Sequence, residues 1–261
     1  MGVRVIDLAL LRRLENTFCE DFARVERREY GLLYYQPDNP LSHDSNHAVI
    51  LDLSGDLDDA VSDATTFYAA QGLEPRFYSS FVADDAALLR PVLERHGFTF
   101  RAQALRWFVL GERHTPAPAH SAPPLEVRRM RALSRGLREL IHSDGPVPWT
   151  ENVLRRHLAC EGLHLLAGFV GGLPVSMASL KVMDGLTRVD DVLTHPLHRR
   201  RGYARALMAA AVGYHHDLTP QALYLCAENP TAIRIYQEVG FAEQPPPVDQ
   251  WSAWLPAAKR A

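Results

Sequence analysis

The sequence predicts a mixed α/β protein built as two related halves joined by a linker. Three observations carry this reading. Strand-like and helix-like segments alternate along the chain, which implies a mixed sheet with covering helices. The segment Val-Leu-Glu-Arg-His-Gly-Phe at 92–98 lies over Ile-Tyr-Gln-Glu-Val-Gly-Phe at 235–241, each closing a helix with Gly-Phe and opening a strand. Between the halves, 112–124 is rich in proline and nearly free of large apolar groups, a composition that stays extended and packs no core. At 261 residues, 47% of them hydrophobic, the chain is long enough for two ordinary domains with sizeable cores. The expected division is 1–111, the linker 112–124, and 125–261.

In the first half, Ile6, Leu10, Leu11, Leu14, Phe18 and Phe22 recur at helical spacing, so a helix is expected over 6–28. Strands are expected at 30–36 and 47–53, a helix at 57–71 and a strand at 76–81. A helix at 84–96 has Asp84 as its expected N-cap, and Gly97 leads into one long strand over 98–110. The second half restarts with a strand at 125–130, then helices at 132–142 and 149–160. Strands at 164–170 and 174–183 flank Gly171-Gly172, a hairpin signal. A strand at 186–194, a helix to about Asp217, a strand at 222–227, a helix at 231–239 and strands at 241–244 and 250–255 complete the chain.

The centre of the second half is Val189-Asp-Asp-Val-Leu-Thr-His-Pro-Leu-His-Arg-Arg-Arg-Gly202, followed by a helical stripe of Ala206, Leu207, Ala210 and Ala211. A strand, a basic glycine turn and a helix start make an anion site. The first helical N–H groups lack partners, the dipole's positive end points outward, and Gly202 lets the backbone approach the ligand. Where the first half reaches the same point it has Ser-Gly-Asp-Leu-Asp-Asp at 54–59, which repels a pyrophosphate, and Leu93 stands where the second half has Tyr236. The first half therefore reads as a degenerate copy.

The run Arg199-x-x-Gly202-x-Ala204 resembles the pyrophosphate signature of the GNAT superfamily of acyl-CoA-dependent N-acyltransferases. Asn229-Pro-Thr-Ala232, with Tyr236 and Gly240-Phe241, is similar to the family's last motif, in the right order and one helix and one strand away. The resemblance covers about 125–256, and the fold it implies is a tandem of GNAT-like units.

The resemblance implies acetyl-CoA, or another acyl-CoA, as co-substrate, and a primary amine of a small molecule or peptide as acceptor. Val192, Leu193 and Thr194 would bind the pantetheine arm as an added strand does. Arg199, Arg200, Arg201, Gly202, Tyr203, Ala204 and Arg205 would hold the pyrophosphate, and Asn229 the pantetheine amide. Tyr236 would protonate the leaving thiolate, and the backbone N–H of Val192 would face the developing oxyanion. Proton removal from the amine asks for a carboxylate. Asp190, expected to share a face with Val192 and Thr194 by strand alternation, is the candidate base; the alternative is that Asp190 and Asp191 are exposed or pair with Arg188. Acceptor contacts within reach are His142, Asp144, Trp149, Glu151, Trp251 and Trp254. The same motifs would also serve a catalytically silent acyl-CoA sensor or scaffold.

A formal charge of −3 argues against a general nucleic-acid binder, and DNA binding through Arg199–Arg201 would require a wider basic surface. Lys181 and Lys259 are the only lysines, a usage that a GC-rich genome produces as readily as chemistry does. Cys19, Cys160 and Cys226 are widely spaced and odd in number, which fits a reducing compartment. No histidine pattern suggests a metal. With no signal-peptide core and no apolar run of spanning length, a cytoplasmic location and no membrane partner are expected.

Overall fold

The computed structural model describes residues 6–111, 124–245 and 249–256; the expected linker, Pro124 apart, lies outside the described residues. The chain runs α1 (Leu8–Thr17), β1 (Arg24–Arg28), β2 (Gly31–Tyr35), β3 (His47–Ile50), α2 (Leu57–Ala70), β4 (Arg76–Tyr78), α3 (Asp85–Arg95), β5 (Thr99–Gln103) and β6 (Arg106–Leu110). It continues β7 (Glu126–Met130), α4 (Arg135–Ile141), α5 (Pro148–His157), β8 (Leu163–Val170), β9 (Leu173–Val182), β10 (Leu186–Thr194), α6 (Tyr203–Leu218), β11 (Ala222–Ala227), α7 (Pro230–Glu238), β12 (Phe241–Gln244) and β13 (Gln250–Trp254). Among the described residues no helix is long and apolar enough to cross a membrane.

Two mixed sheets result. One has the strand order β1-β2-β3-β4-β13-β5, the other β12-β6-β11-β10-β9-β8-β7. The single parallel junction in each, among the described strands, is β3/β4 and β10/β11. Aligned on that junction, the two orders coincide except for the extra β7. The expected tandem of like folds is therefore present, but its boundaries differ from the expected 1–111 and 125–261. The strand over 98–110 is broken at Ala104-Leu105; β5 stays with the N-terminal sheet and β6 pairs with β11 and β12. Conversely β13 pairs with β4 and β5. The compact units are accordingly Leu105–Pro245 and Leu8–Ala104 with the C-terminal strand. Alternation within a strand reports which face is buried, not which sheet supplies the neighbour, so this exchange has no local signature.

Two other expectations change. The first helix ends at Thr17, and Arg24–Arg28 forms β1, in register with β2 from Arg24↔Tyr35 to Arg28↔Gly31. The apolar helical spacing had already stopped at Phe22, and the tight turn at Glu29-Tyr30 favours the hairpin ladder. Asp84 does not cap α3: its φ is 63° and its side chain makes no cap bond. Asp85 is buried instead, accepting from the backbone N of Ser80 at 2.7 Å and from Trp251 Nε1 at 2.8 Å.

In the larger sheet β8 and β9 are buried on both faces, as strands covered by helices on each side should be. Gly171 and Gly172, at φ 55° and 81°, make the expected two-residue hairpin turn. Leu207, Met208, Ala211 and Val212 of α6 form one core with Leu180, Val189, Leu223 and Leu225. Leu137, Leu140 and Leu154 of α4 and α5 form a separate cluster with Met177 and Leu165.

The exchange makes β13 a core strand of the N-terminal unit. Trp251 is 2% exposed and stacks on Phe100 at 4.9 Å. Trp251→Ala should cost about 3–5 kcal/mol and also leave Asp85 one donor short. The expected outcome is loss of N-terminal amide protection in hydrogen exchange, with β8–β10 still protected; loss confined to the C-terminal unit would refute the exchange.

Candidate active site

The site begins where two strands part. β10 and β11 pair only at Leu186↔Ala222, Thr187↔Leu223 and Arg188↔Tyr224. Beyond that, β10 stays on β9 as far as Thr194↔Ser176, and β11 stays on β6 as far as Ala227↔Arg106. The facing edges, 189–194 and 225–227, thus have no strand between them, and their backbone groups are open to an extended ligand.

A bulge accompanies the parting. Asp190 opposes Ser179, but the next pair is Leu193↔Met177, so Asp191 and Val192 together oppose Ala178. Asp191 has φ 52°. An extra residue of this kind bends the strand and breaks its alternation. The face assignment made from strict alternation is therefore corrected. Asp190 shares a face with Leu193, on the side packed by α4 and α5, whereas Val192 packs into the α6 core.

Asp190 pairs with Arg188, Nη2 to Oδ2 at 3.0 Å, and accepts from the backbone N of Asp191 at 2.9 Å. Asp191 accepts from Ser179 Oγ at 2.6 Å. The Arg188 alternative held open from sequence is the arrangement found for Asp190.

After Thr194 the chain makes one 3-10 turn, Pro196–His198, with His195 Nδ1 accepting from the backbone N of Leu197 at 3.2 Å. Arg200 (φ 60°) and Gly202 (φ 82°) then turn it into α6. A left-handed arginine is a strained choice retained where the surroundings impose it. Gly202 makes no side-chain cap, so the first N–H groups of α6 have no side chain closing them off and present positive charge to the cleft. Arg199 folds back, its Nε donating to the carbonyl of Thr194 at 3.1 Å and its guanidinium pairing with Asp144. Arg205 reaches Glu238 at 3.5 Å. Arg200 and Arg201 are exposed and have no ion pair among the described residues.

The opposite wall is α7. Asn229 Oδ1 accepts from the N–H groups of Thr231 (2.9 Å) and Ala232 (3.3 Å), which leaves the amide nitrogen for a ligand. Tyr236, two turns on, is 6% exposed, and its hydroxyl makes no hydrogen bond among the described residues. Burial pushes its pKa up to about 12, and the negative charge of Asp190 adds to the shift.

Together these elements enclose a cleft of 930 Å³. Of the residues expected to bind the co-substrate, Val192, Leu193, Thr194, Arg199, Arg200, Gly202, Tyr203, Ala204, Arg205, Asn229 and Tyr236 line it. Arg201 and Asp190 do not. The cleft fits a nucleotide-linked acyl carrier: a helix start with unpaired arginines for a diphosphate, an open strand edge for an amide-bearing arm, and a buried hydroxyl at the inner end. Asp144 also lines it and is tied to Arg199, a contact with no local sequence signal because the two lie far apart in the chain.

Of the acceptor candidates, His142 accepts at Nδ1 from the backbone N of Val147 (3.2 Å) and faces Glu151 at 3.4 Å. Burial raises the pKa of Glu151, but hydrogen bonds from Arg155 and His142 together with the positive charges of Arg138 and Arg155 make the net shift downward. Trp149 stands in the first turn of α5. Trp251 and Trp254 are corrected: both are on β13, in the other unit's sheet, where Arg76 lies over the Trp254 ring. Among the described residues, no group of three His, Cys, Asp or Glu side chains is placed to hold a metal.

In the N-terminal unit the corresponding helix start is closed. Asp56 caps α2, accepting from the N–H of Asp59 at 3.0 Å, and Asp58 and Asp59 occupy the first turn.

Comparison with known proteins agrees with this geometry. Residues 134–241 match the model of the acetyltransferase (GNAT) family. Among solved structures, the chain is similar to a GCN5-related N-acetyltransferase from Kribbella flavida (TM-score 0.70, 18% identity, 97% of each chain covered). It is also similar to a functionally unknown conserved protein from Staphylococcus epidermidis (TM-score 0.61, 16% identity, 89% of this chain and 93% of that one). A third relative is a GCN5-related N-acetyltransferase-like protein from Streptococcus suis (TM-score 0.54, 13% identity, 95% and 100% covered). At these identities the likeness shows the fold. No curated protein matches the chain. The parted strands, the uncapped basic helix start and the family match over 134–241 lead to one conclusion: the chain carries a GNAT-family acetyltransferase domain in its C-terminal half, and it is an acyltransferase.

Proposed function

We propose that the protein is an acetyl-CoA-dependent N-acetyltransferase acting on a primary amine of a small molecule or peptide by direct transfer. The single observation that carries this is the open edge of β10 between an uncapped basic helix start and the buried Tyr236 hydroxyl. Acyl-CoA supplies an activated thioester. The chain's part is to hold and orient it, and to move two protons.

The diphosphate belongs on the first N–H groups of α6 with Arg200 alongside; each charge-assisted hydrogen bond there contributes about 1.5–3 kcal/mol. The pantetheine arm lies along 192–194, with Asn229 opposite. An N–H freed by the bulge at Asp191 and Val192 faces the developing oxyanion, worth about 2.7–4 kcal/mol. Tyr236 retains its proton at neutral pH and is the donor for the departing thiolate.

Asp190 is the proton acceptor for the incoming ammonium. It lies on the α4/α5 side, separate from the α6/α7 wall that takes the co-substrate, and Arg188 keeps it oriented. Alignment of the two reactants supplies about 7–11 kcal/mol, more than the roughly 10²–10⁴-fold expected from a general base, so orientation carries most of the acceleration. The amine is expected to enter beside His142, Asp144 and Glu151.

Tyr236→Phe should lower kcat by about 10²-fold or more in a free-thiol release assay, with acetyl-CoA affinity close to wild type; unchanged kcat would remove its acid role. Because the folded pKa of Tyr236 is raised, the protonated donor persists as pH rises and is lost only near 12. The kcat profile should therefore show no descending limb from this group below about pH 11, and a limb near an ordinary tyrosine pKa would contradict the assignment. Titration calorimetry should give one acetyl-CoA per chain, since α2 is closed by carboxylates; a stoichiometry near two would show that the N-terminal unit also binds it.

A further inference from the structure

The N-terminal unit has a divergence of its own. β3 and β4 share one parallel register pair, Ala48↔Phe77. In open sheets, the crevice outside the carboxyl ends of parallel strands is where ligands bind. A cavity of 690 Å³ opens just past these strand ends and against α1, within the range of about 300–1,000 Å³ usual for small-molecule sites. Its apolar lining includes Leu8, Leu32, Leu51 and Phe81, its charged groups are Arg12, Arg13 and Arg27, and no carboxylate lines it.

Arg27 already pairs with Glu20 at 2.8 Å. Arg12 is half-buried and forms no ion pair among the described residues. A guanidinium held beside apolar surface has given up part of its hydration, and an anion delivered by a ligand restores that loss with charge-assisted hydrogen bonds. The wall is also built with care. Phe81 sits at φ 58°, a conformation that an aromatic residue keeps only where its surroundings over-determine it. Here the buried Asp85 carboxylate accepts from Ser79 Oγ at 3.1 Å and from the backbone N of Ser80 at 2.7 Å, and Ser79 Oγ accepts from the Phe81 N–H at 3.4 Å.

We propose that this cavity binds a small amphipathic anion, its carboxylate or phosphate head on Arg12 and its apolar body on Leu8, Leu32, Leu51 and Phe81. The helix start that follows β3, that of α2, carries Asp56, Asp58 and Asp59 and so offers no diphosphate site of the kind expected at α6. The site is thus distinct in chemistry from the acyl-CoA cleft and does not depend on the acceptor chosen there.

The full chain is titrated calorimetrically with decanoate, decyl phosphate and decanol. Saturable binding of at least one anion at one site per chain is expected, with decanol weaker by about tenfold or more; the tighter anion names the head group. Arg12→Glu should weaken that anion about tenfold or more and Arg12→Lys restore most of it, while acetyl-CoA binding and the melting temperature stay at wild-type values. No saturable binding of either anion would overturn the proposal. So would decanol binding as tightly as decanoate, or Arg12→Glu retaining wild-type affinity.

Discussion

The site rests on the separation of β10 from β11 after Arg188. Two parallel strands that stayed hydrogen-bonded to their ends would satisfy each other and leave nothing for a ligand. Here each strand keeps its other neighbour and gives up this one. The cost is a row of unmatched backbone groups. It is offset when an extended amide-bearing arm supplies the missing partner. The bulge at Asp191 belongs to the same construction: an added residue bends β10 away and takes its backbone out of the ladder beside the inner end of the cleft.

Placing a helix start directly after that strand gives the wedge a polarity. α6 begins without a side-chain cap, so the outer end of the cleft is electropositive by default, and Arg200 and Arg201 are exposed without carboxylate partners among the described residues. The inner end is different in kind. Tyr236 is packed into the α6 core, and burial keeps its hydroxyl protonated. The two ends of one cleft thus differ in character, exposed and basic outside, buried with a protonated hydroxyl inside.

The two units show how little must change to redirect such a scaffold. Their strand orders coincide around one parallel pair. In one the helix that follows is open and basic; in the other Asp56 caps it from within, and its first turn carries Asp58 and Asp59. A carboxylate that satisfies the first N–H groups removes the anion site while leaving the helix, its apolar face and the sheet beneath it intact. The arginines of the N-terminal unit line a cavity on α1 instead.

Much of the site was legible in sequence because its parts are local. The glycine at the start of α6, the arginines before it, the asparagine cap and the tyrosine two turns later each act through neighbours within a few residues, and spacing along one strand or helix encodes that directly. The identity of the strands beside β11 and β4, the face of Asp190 relative to Val192, the tie from Arg199 to Asp144 and the cavity beside Arg12 were not legible. The strand neighbours, the Arg199 tie and the cavity join segments tens of residues apart. Asp190 and Val192 lie close in sequence, but a single bulged residue reversed the strand parity that local reasoning relies on. Sequence alone determined most of the strands and helices, β1 and the break between β5 and β6 apart, and the uncapped basic start of α6. The tertiary structure decided which sheet owns each exchanged strand and which way each carboxylate faces, because those outcomes depend on the partner across the ladder and on a one-residue change in register.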